Sequence, residues 1–329
     1  MKNKILDLKD KIINNEYNIT FEEAKELIEI DHINDLETMD VLINSANEIR
    51  KSLSGNSMDL CTIMNVKNGN CSEDCKYCAQ SSHYKTPITP YSFLKEEEII
   101  EKAKEVEKKG AHKFSMVSSG KGPSDKDIEK ICSIYKKLQQ ETNISLCGSF
   151  GILKEGQAEK LKDAGIIMYH HNLESSKEFY GSLCSTHTFE DRVNTIKLVQ
   201  QAGLKVCSGG ILGLGETPID RLNLAFELKN LNVDSVPINI LTKIPGTPYE
   251  NNEPLHKMEI IKTIAIFRFI LPKAQIRYAG GRMQLEDLQE LGLRAGVNAM
   301  LTGDFLTTTG SNMKKDKELA EKMEFSITR

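Results

Sequence analysis

The sequence predicts an α/β chain folded as a (β/α)8 barrel of the TIM type behind an N-terminal helical extension. Three observations predict it. From Met58 onward, short β-prone runs alternate with amphipathic stretches, the texture of βα units around a parallel sheet. Eight such runs occur, and eight strands close a barrel. Capping residues and glycines sit at the ends of the intervening helical stretches, so the local signals agree with the alternation.

Residues 1–55 read as helices, because Thr20 with Glu23 forms a capping box and Phe21, Ala24, Leu27 and Ile28 recur behind it at helical spacing. Strands are expected at 58–66, 113–118, 144–149, 166–172, 205–211, 235–241, 275–280 and 297–301. Helix starts between them carry Ser124 with Asp127, Thr188 with Asp191, and Thr217 followed by Pro218 at the first helical position. Gly110, Gly165 and Gly203 stand at helix ends. The barrel is assigned to residues 56–310, and the polar segment 311–329 to a C-terminal helix or tail.

The 329 residues carry a formal charge of -4, with both signs mixed throughout. No single-signed surface that would draw in nucleic acid or anionic lipid is expected. The N-terminus is interrupted by charge too often for the apolar core of a signal peptide. The longest apolar run, Ile264 to Leu271, is broken by Arg268 and falls far short of a membrane span. The chain therefore reads as cytoplasmic, where eight cysteines are expected to be thiols rather than disulfides.

Three of those thiols stand together. The loop after the first expected strand, NGNCSEDCKYCAQ, spaces Cys71, Cys75 and Cys78 as C-x3-C-x2-C, at the strand end where barrel enzymes keep their chemistry. Three thiolates around a four-iron cluster leave one iron open for a substrate or cofactor. The alternative is a zinc site completed by His83, which lacks a second C-x2-C or H-x3-H pair at zinc-finger distance. With Tyr77 before its last cysteine, the loop resembles that of the radical S-adenosylmethionine superfamily. That resemblance implies a 4Fe-4S cluster on Cys71, Cys75 and Cys78 as the catalytic centre. S-adenosylmethionine would bind the open iron and be cleaved to a 5'-deoxyadenosyl radical.

A second set lies inside the expected strands. Ser115, Cys147, Cys207 and Arg277 occupy positions where a barrel would ordinarily place Val or Ile, and side chains from different strands converge in a barrel interior. A buried arginine needs a partner, which thiolates or an anionic cluster would supply. Cys61, Cys132 and Cys184 have no comparable context; Cys132, on a helix with Ile128, Ile131 and Tyr135, reads as core packing.

In GNCSEDCKYCAQ, HHNLE, KVCSGGILGLGE, SVPINIL and IRYAGGR, spanning roughly residues 40–310, the chain resembles the biotin synthases. The resemblance implies a sulfurtransferase that inserts sulfur into dethiobiotin, the sulfur coming from an auxiliary iron-sulfur cluster, commonly 2Fe-2S, deep in the barrel. By position its ligands are Cys147, Cys207 and Arg277, with Ser115 where the commonest pattern has cysteine. Serine is a harder ligand than thiolate for iron. Cofactor contacts fall on Tyr77, Gly209, Ile211, Gly213 and Glu216, and on Asn172 and Glu174 at the ribose. Asn172 and Asn239 would hold the ureido ring, with His170 nearby in place of a common asparagine and His171 on the opposite strand face. The family further implies a flavodoxin or ferredoxin reductant and a homodimer. Two rivals stand beside this reading: a radical enzyme of the same barrel that inserts no sulfur, of methyl-proline or hydrogenase-maturation type, and a zinc-stabilised binding protein.

Overall fold

The computed structural model describes residues 1–303 and 311–327. Three helices lead the chain: α1 (Lys2–Asn15), α2 (Phe21–Ile28) and α3 (Leu36–Ser54). The Thr20–Glu23 capping box starts α2, and Asp35 accepts from Thr38 N–H at the head of α3. These helices wrap the outside of the barrel. Lys262 ties them down by donating to the carbonyls of Ile28 and Ile30.

The barrel follows as β1 (Asp59–Lys67), α4 (Glu96–Lys108), β2 (Lys113–Ser118), α5 (Asp125–Glu141), β3 (Ser145–Ser149), α6 (Gln157–Asp163) and β4 (Met168–His170). The short α7 (Lys177–Tyr180) precedes α8 (Phe189–Gln201), β5 (Lys205–Cys207), β6 (Gly210–Leu212), α9 (Pro218–Asn230), β7 (Ser235–Ile240) and α10 (Lys257–Ile270). β8 (Gln275–Tyr278), a 3-10 turn (Arg282–Leu288), α11 (Gln289–Arg294), β9 (Ala299–Leu301) and α12 (Met313–Lys322) complete the chain. The strands pair in parallel from β1 through β9, and Cys207 of β5 opposite Ser235 of β7 closes the ring. The boundary expected near residue 310 lies outside the described residues.

The expected strand 205–211 is two pieces, β5 and β6, and its break has a physical cause. A Cβ on Gly209 would lie 2.1 Å from the Pro237 carbonyl oxygen, so the backbones approach as only glycine permits. The Gly209 carbonyl leaves the ladder and accepts the N–H groups of Leu173 and Glu174, at 3.0 Å each. The Gly209 N–H donates to Asn172 Oδ1 at 3.2 Å. Counting β5 and β6 as one broken strand, the barrel has eight.

β4 also ends earlier than its sequence implies, at His170 rather than 172. Cys132 packs against the edge of the core, as expected, its Sγ half-buried between α5 and the Lys160 carbonyl of α6, while Ile128, Ile131, Ile134, Tyr135 and Leu138 build the buried face of α5. Arg268, which interrupts the apolar run of α10, is fully buried and donates to the carbonyls of Gly296, Leu271, Pro272 and Ala274, a fixed seam between α10 and the barrel. Among the described residues no helix is long and apolar enough to cross a membrane.

Candidate active site

A cavity of about 330 Å³ opens at the C-terminal ends of the strands and runs down the barrel axis. Cys71, Cys75, Cys78 and Tyr77 line its mouth, His170, Asn172, Glu174 and Asn239 its wall, and Cys207 and Arg277 its floor. A second lobe of about 230 Å³ shares Tyr77, Cys78, Asn172, Glu174 and Asn239 and adds Ile211. Side chains as far apart in sequence as Cys71 and Arg277 thus line one continuous surface.

The thiol loop is held by its own backbone. Gly69 and Asn70 turn with positive φ, Cys71 N–H donates to Gln80 O, Cys78 N–H to Cys75 O, and Ser82 N–H to Cys71 O. Asp74 stitches the loop to the segment before α8 by accepting the N–H groups of Ser185 and Thr186, at 2.9 and 3.2 Å. Burial pushes this carboxyl up, but the hydrogen bonds from Ser185, Cys184 and Thr186 outweigh it and hold it well below the usual range. All eight cysteines are free thiols.

That stitching brings in a thiol that had no evident context in the sequence. Cys184 Sγ lies 3.8 Å from Cys75 Sγ and 3.1 Å from His187 Nδ1, and donor atoms of Cys75, Cys184 and His187 lie within 4.8 Å of one another. Its hydrogen bonds from Cys75, His187 and Thr186 draw it below the ordinary thiol range. Cys184 does not line the cavity, whereas Cys71, Cys75 and Cys78 do. His83, the expected fourth zinc ligand, turns instead to the Ser72 carbonyl at 3.0 Å. A cluster in the cavity therefore meets three thiols, a donor set that fits four irons with one position open. The short C-x2-H pair of Cys184 and His187 lies 109 positions from Cys75, too dispersed a signal to be read from sequence.

The wall is polar and anchored. Asn172 Nδ2 donates to Glu174 Oε2 at 3.4 Å. Asn239 Nδ2 donates to Gly210 O at 3.1 Å and its Oδ1 accepts Gly280 N–H at 2.9 Å, leaving one donor and one lone pair for a ligand. Burial raises the Glu174 carboxyl, opposed by Arg192 at 3.7 Å. Glu174 takes a positive φ of 71°, strain of the kind stored at functional sites. Arg192 was not foreseen; it donates to Tyr180 OH, Asn172 O and His187 Nε2 and fixes all three.

His170 and His171 both reach the cavity, where strand alternation had set them on opposite faces. The reason is the early end of β4: beyond His170 the backbone leaves the pleat, and alternation no longer applies. Burial, then Arg277 and Lys113, drive His170 down to about 3, so its imidazole is neutral. Gly209, Gly213 and Glu216 do not line either lobe. The Glu216 carboxylate accepts the N–H groups of Gly213 and Leu214 at 3.0 and 2.7 Å and pairs with Arg221, closing its own turn.

At the floor, the partner of Arg277 is a carboxylate. Asp59 Oδ1 lies 2.5 Å from Arg277 Nη2, and its Oδ2 lies 2.7 Å from Lys113 Nζ. Asp59, at the head of β1, thus supplies Arg277 with a partner beside any that thiolates or an anionic cluster would provide. Arg277 Nε remains buried without a hydrogen-bond partner among the described residues. Cys147 and Ser115 do not line the cavity and are fully buried, and Cys147 packs with Cys207 and Met168.

The barrel and its cysteine loop define a class, the radical S-adenosylmethionine enzymes. Residues 66–228 match the Radical SAM superfamily and residues 237–326 the Biotin and Thiamin Synthesis associated domain. The biotin synthase of Fusobacterium nucleatum is 49% identical over 99% of this chain and 91% of its own, and that of Clostridioides difficile 49% over 99% and 100%. The chain belongs to the biotin synthase family, the sulfur-inserting branch of these radical enzymes. A methylornithine synthase superimposes with a TM-score of 0.85 at 22% identity, over 98% of this chain and 97% of its own. The FeFe-hydrogenase maturase of Carboxydothermus hydrogenoformans gives 0.82 at 19%, over 98% and 79%. These two share the fold alone, so the rival without sulfur insertion is not favoured over full-length relatives at 49% identity.

Proposed function

We propose that this chain inserts sulfur into dethiobiotin to form biotin, using residues 56–310 as the catalytic barrel, 1–55 as a helical extension and 311–329 as a tail. What supports the reading is one cavity with three thiols at its mouth, two carboxamides on its wall, and a thiol with a guanidinium at its floor. Cys71, Cys75 and Cys78 would hold the 4Fe-4S cluster, and Cys147, Cys207 and Arg277, with Ser115 beside them, the auxiliary cluster, of 2Fe-2S or variant type. When bound, these groups with S-adenosylmethionine supply a carbon-centred radical at one end of the cavity and sulfide at the other.

The chain's own residues do the rest. Asn172 and Asn239 offer a neutral urea paired donors and acceptors, and their backbone anchors fix the angle at which it sits. Tyr77, Glu174 and Ile211 form the lobe for the adenosine portion, with Gly209, Gly213 and Glu216 setting the turn behind it. Ile63, Pro237, Ala279 and Leu301 make the intervening wall apolar, which excludes water from the radical's path. His170, held neutral, adds no positive charge there. On family grounds the electron comes from a flavodoxin or ferredoxin, the assembly is a homodimer, and the location is cytoplasmic, with which eight free thiols agree.

Anaerobic reconstitution with iron and sulfide, followed by reduction in the presence of S-adenosylmethionine and dethiobiotin, tests the proposal. Biotin measured by mass spectrometry is expected. Absence of biotin from protein carrying both clusters would refute it.

A further inference from the structure

Cys61 stands in the barrel interior at the height of the floor. In an eight-stranded barrel with a shear of eight, side chains at one level advance one residue at each strand crossing, and a layer is built from alternate strands. Cys61 of β1 lies opposite Lys113 of β2; one residue up, Phe114 lies opposite Leu146 of β3, and one further up is Cys147. Two more crossings, by Met168 to Tyr169 and Val206, reach Cys207. The next two, by Ser235 to Val236 and Ile276, reach Arg277. The last two, by Ala299 to Met300 and Leu60, return to Cys61. Cys61, Cys147, Cys207 and Arg277 therefore form one closed layer.

The same walk from Ser115 closes on His170, Pro237 and Leu301, one level nearer the mouth. Neighbouring residues fix the face of Cys61. Asp59, two positions before it, pairs with Arg277, and Ile63, two positions after, lines the cavity. Cys61 is fully buried, and among the described residues its Sγ makes only a 3.9 Å hydrogen bond to the Thr62 carbonyl. Ser115 Oγ is fully buried with no hydrogen-bond partner among the described residues.

We propose that Cys61 is the third thiolate of the inner iron-sulfur cluster, taking the part expected of Ser115. The inference rests on the sulfur-insertion reading, since it presumes an inner cluster. Thiolate is the softer ligand and binds iron more readily near neutral pH than a serine alkoxide does. Each thiol would release its proton on coordination, and Lys113 with Arg277 supplies positive charge beside the layer. The serine, one level up, then faces the substrate side of the cluster rather than its irons.

Mössbauer spectroscopy of iron-57 protein, reconstituted anaerobically, tests this with Cys61→Ser and Ser115→Ala beside the unaltered chain. The unaltered chain is expected to hold two clusters. Cys61→Ser is expected either to lose the inner iron and sulfide or to show a raised isomer shift there, oxygen having replaced sulfur. The loop cluster, unchanged in the same spectrum, reports that the variant is folded. Ser115→Ala is expected to keep the inner cluster's signal. An unchanged inner signal in Cys61→Ser, or a shift in Ser115→Ala alone, overturns the proposal and leaves sulfur insertion standing. A single cluster in the unaltered chain ends both.

Discussion

Asp59→Asn is the perturbation for which the structure sets the sharpest expectation. The Asp59 carboxylate is held between Arg277 at 2.5 Å and Lys113 at 2.7 Å, with side chains only 14%, 3% and 13% exposed. Asparagine keeps the volume and removes the charge, so two cations are left facing each other in the interior. Removing one partner of a buried pair costs about 3–5 kcal/mol. At roughly 2.1 cal/mol/K of unfolding entropy per residue, a chain of 329 residues loses about 4–7 °C of Tm. Anaerobic scanning calorimetry reads that shift. Burial raises the Asp59 carboxyl, but Arg277 and Lys113 outweigh it and depress it below its ordinary 3.8. Its contribution is therefore full above about pH 4 and lost only as pH falls further, toward the depressed folded value. The gap between the two proteins should be constant from pH 6 to 8 and close only in acid. A second variant, Lys113→Met on the Asp59→Asn background, should recover part of the loss. A Tm within 1 °C of the parent, or a gap that closes near neutrality, would refute the reasoning.

Three further outcomes are expected. Gly209→Ala drives a Cβ to 2.1 Å from the Pro237 carbonyl, a backbone atom that cannot rotate away, and should cost about 3 kcal/mol, read as a lower urea midpoint. Asn239→Ala removes one donor and one acceptor from the wall while leaving the loop thiols untouched; KM for dethiobiotin should rise about tenfold with little change in S-adenosylmethionine cleavage, and an unchanged KM would remove Asn239 from the substrate site. Cys184→Ser should retain the loop cluster's iron and visible absorption where Cys75→Ser loses them, because only Cys75 of that pair faces the cavity. Equal loss in both would replace the three-thiol centre with one that includes Cys184.

The parts legible in the sequence are those in which cause and effect are neighbours. Thr20, Ser124, Thr188 and Thr217 each cap a helix that begins at the next residue, so a four-residue pattern suffices. The loop thiols lie within eight positions of one another and could hardly be missed. What escaped depends on distant partners. The break between β5 and β6 is forced by Pro237 against Gly209, and the charge partner of Arg277 stands 218 positions earlier, at Asp59. His171 reached the cavity because β4 ended two residues sooner than its composition implied. Cys61 is the instructive omission. The alternation Asp59, Cys61, Ile63 was present in the first strand, but a thiol among apolar residues reads as packing until the register shows which side chains share its level.

The floor also carries an electrostatic argument that no single residue makes. Two cations, Lys113 and Arg277, face one carboxylate, Asp59, and the neighbouring thiols of Cys61, Cys147 and Cys207 are each pushed by burial toward the neutral form. With His170 neutral, these groups together carry one positive charge in excess in a region largely shielded from water. An unbalanced buried charge is costly in a medium of low dielectric constant. Losing one thiol proton would balance it, and burial opposes that loss unless a metal accepts the thiolate. The excess charge therefore favours an anionic group at that level, whereas a single zinc ion on neutral ligands would add to it. Were an iron-sulfur cluster held by thiolates at that level, Lys113 and Arg277, only half neutralised by Asp59, would stabilise its negative charge.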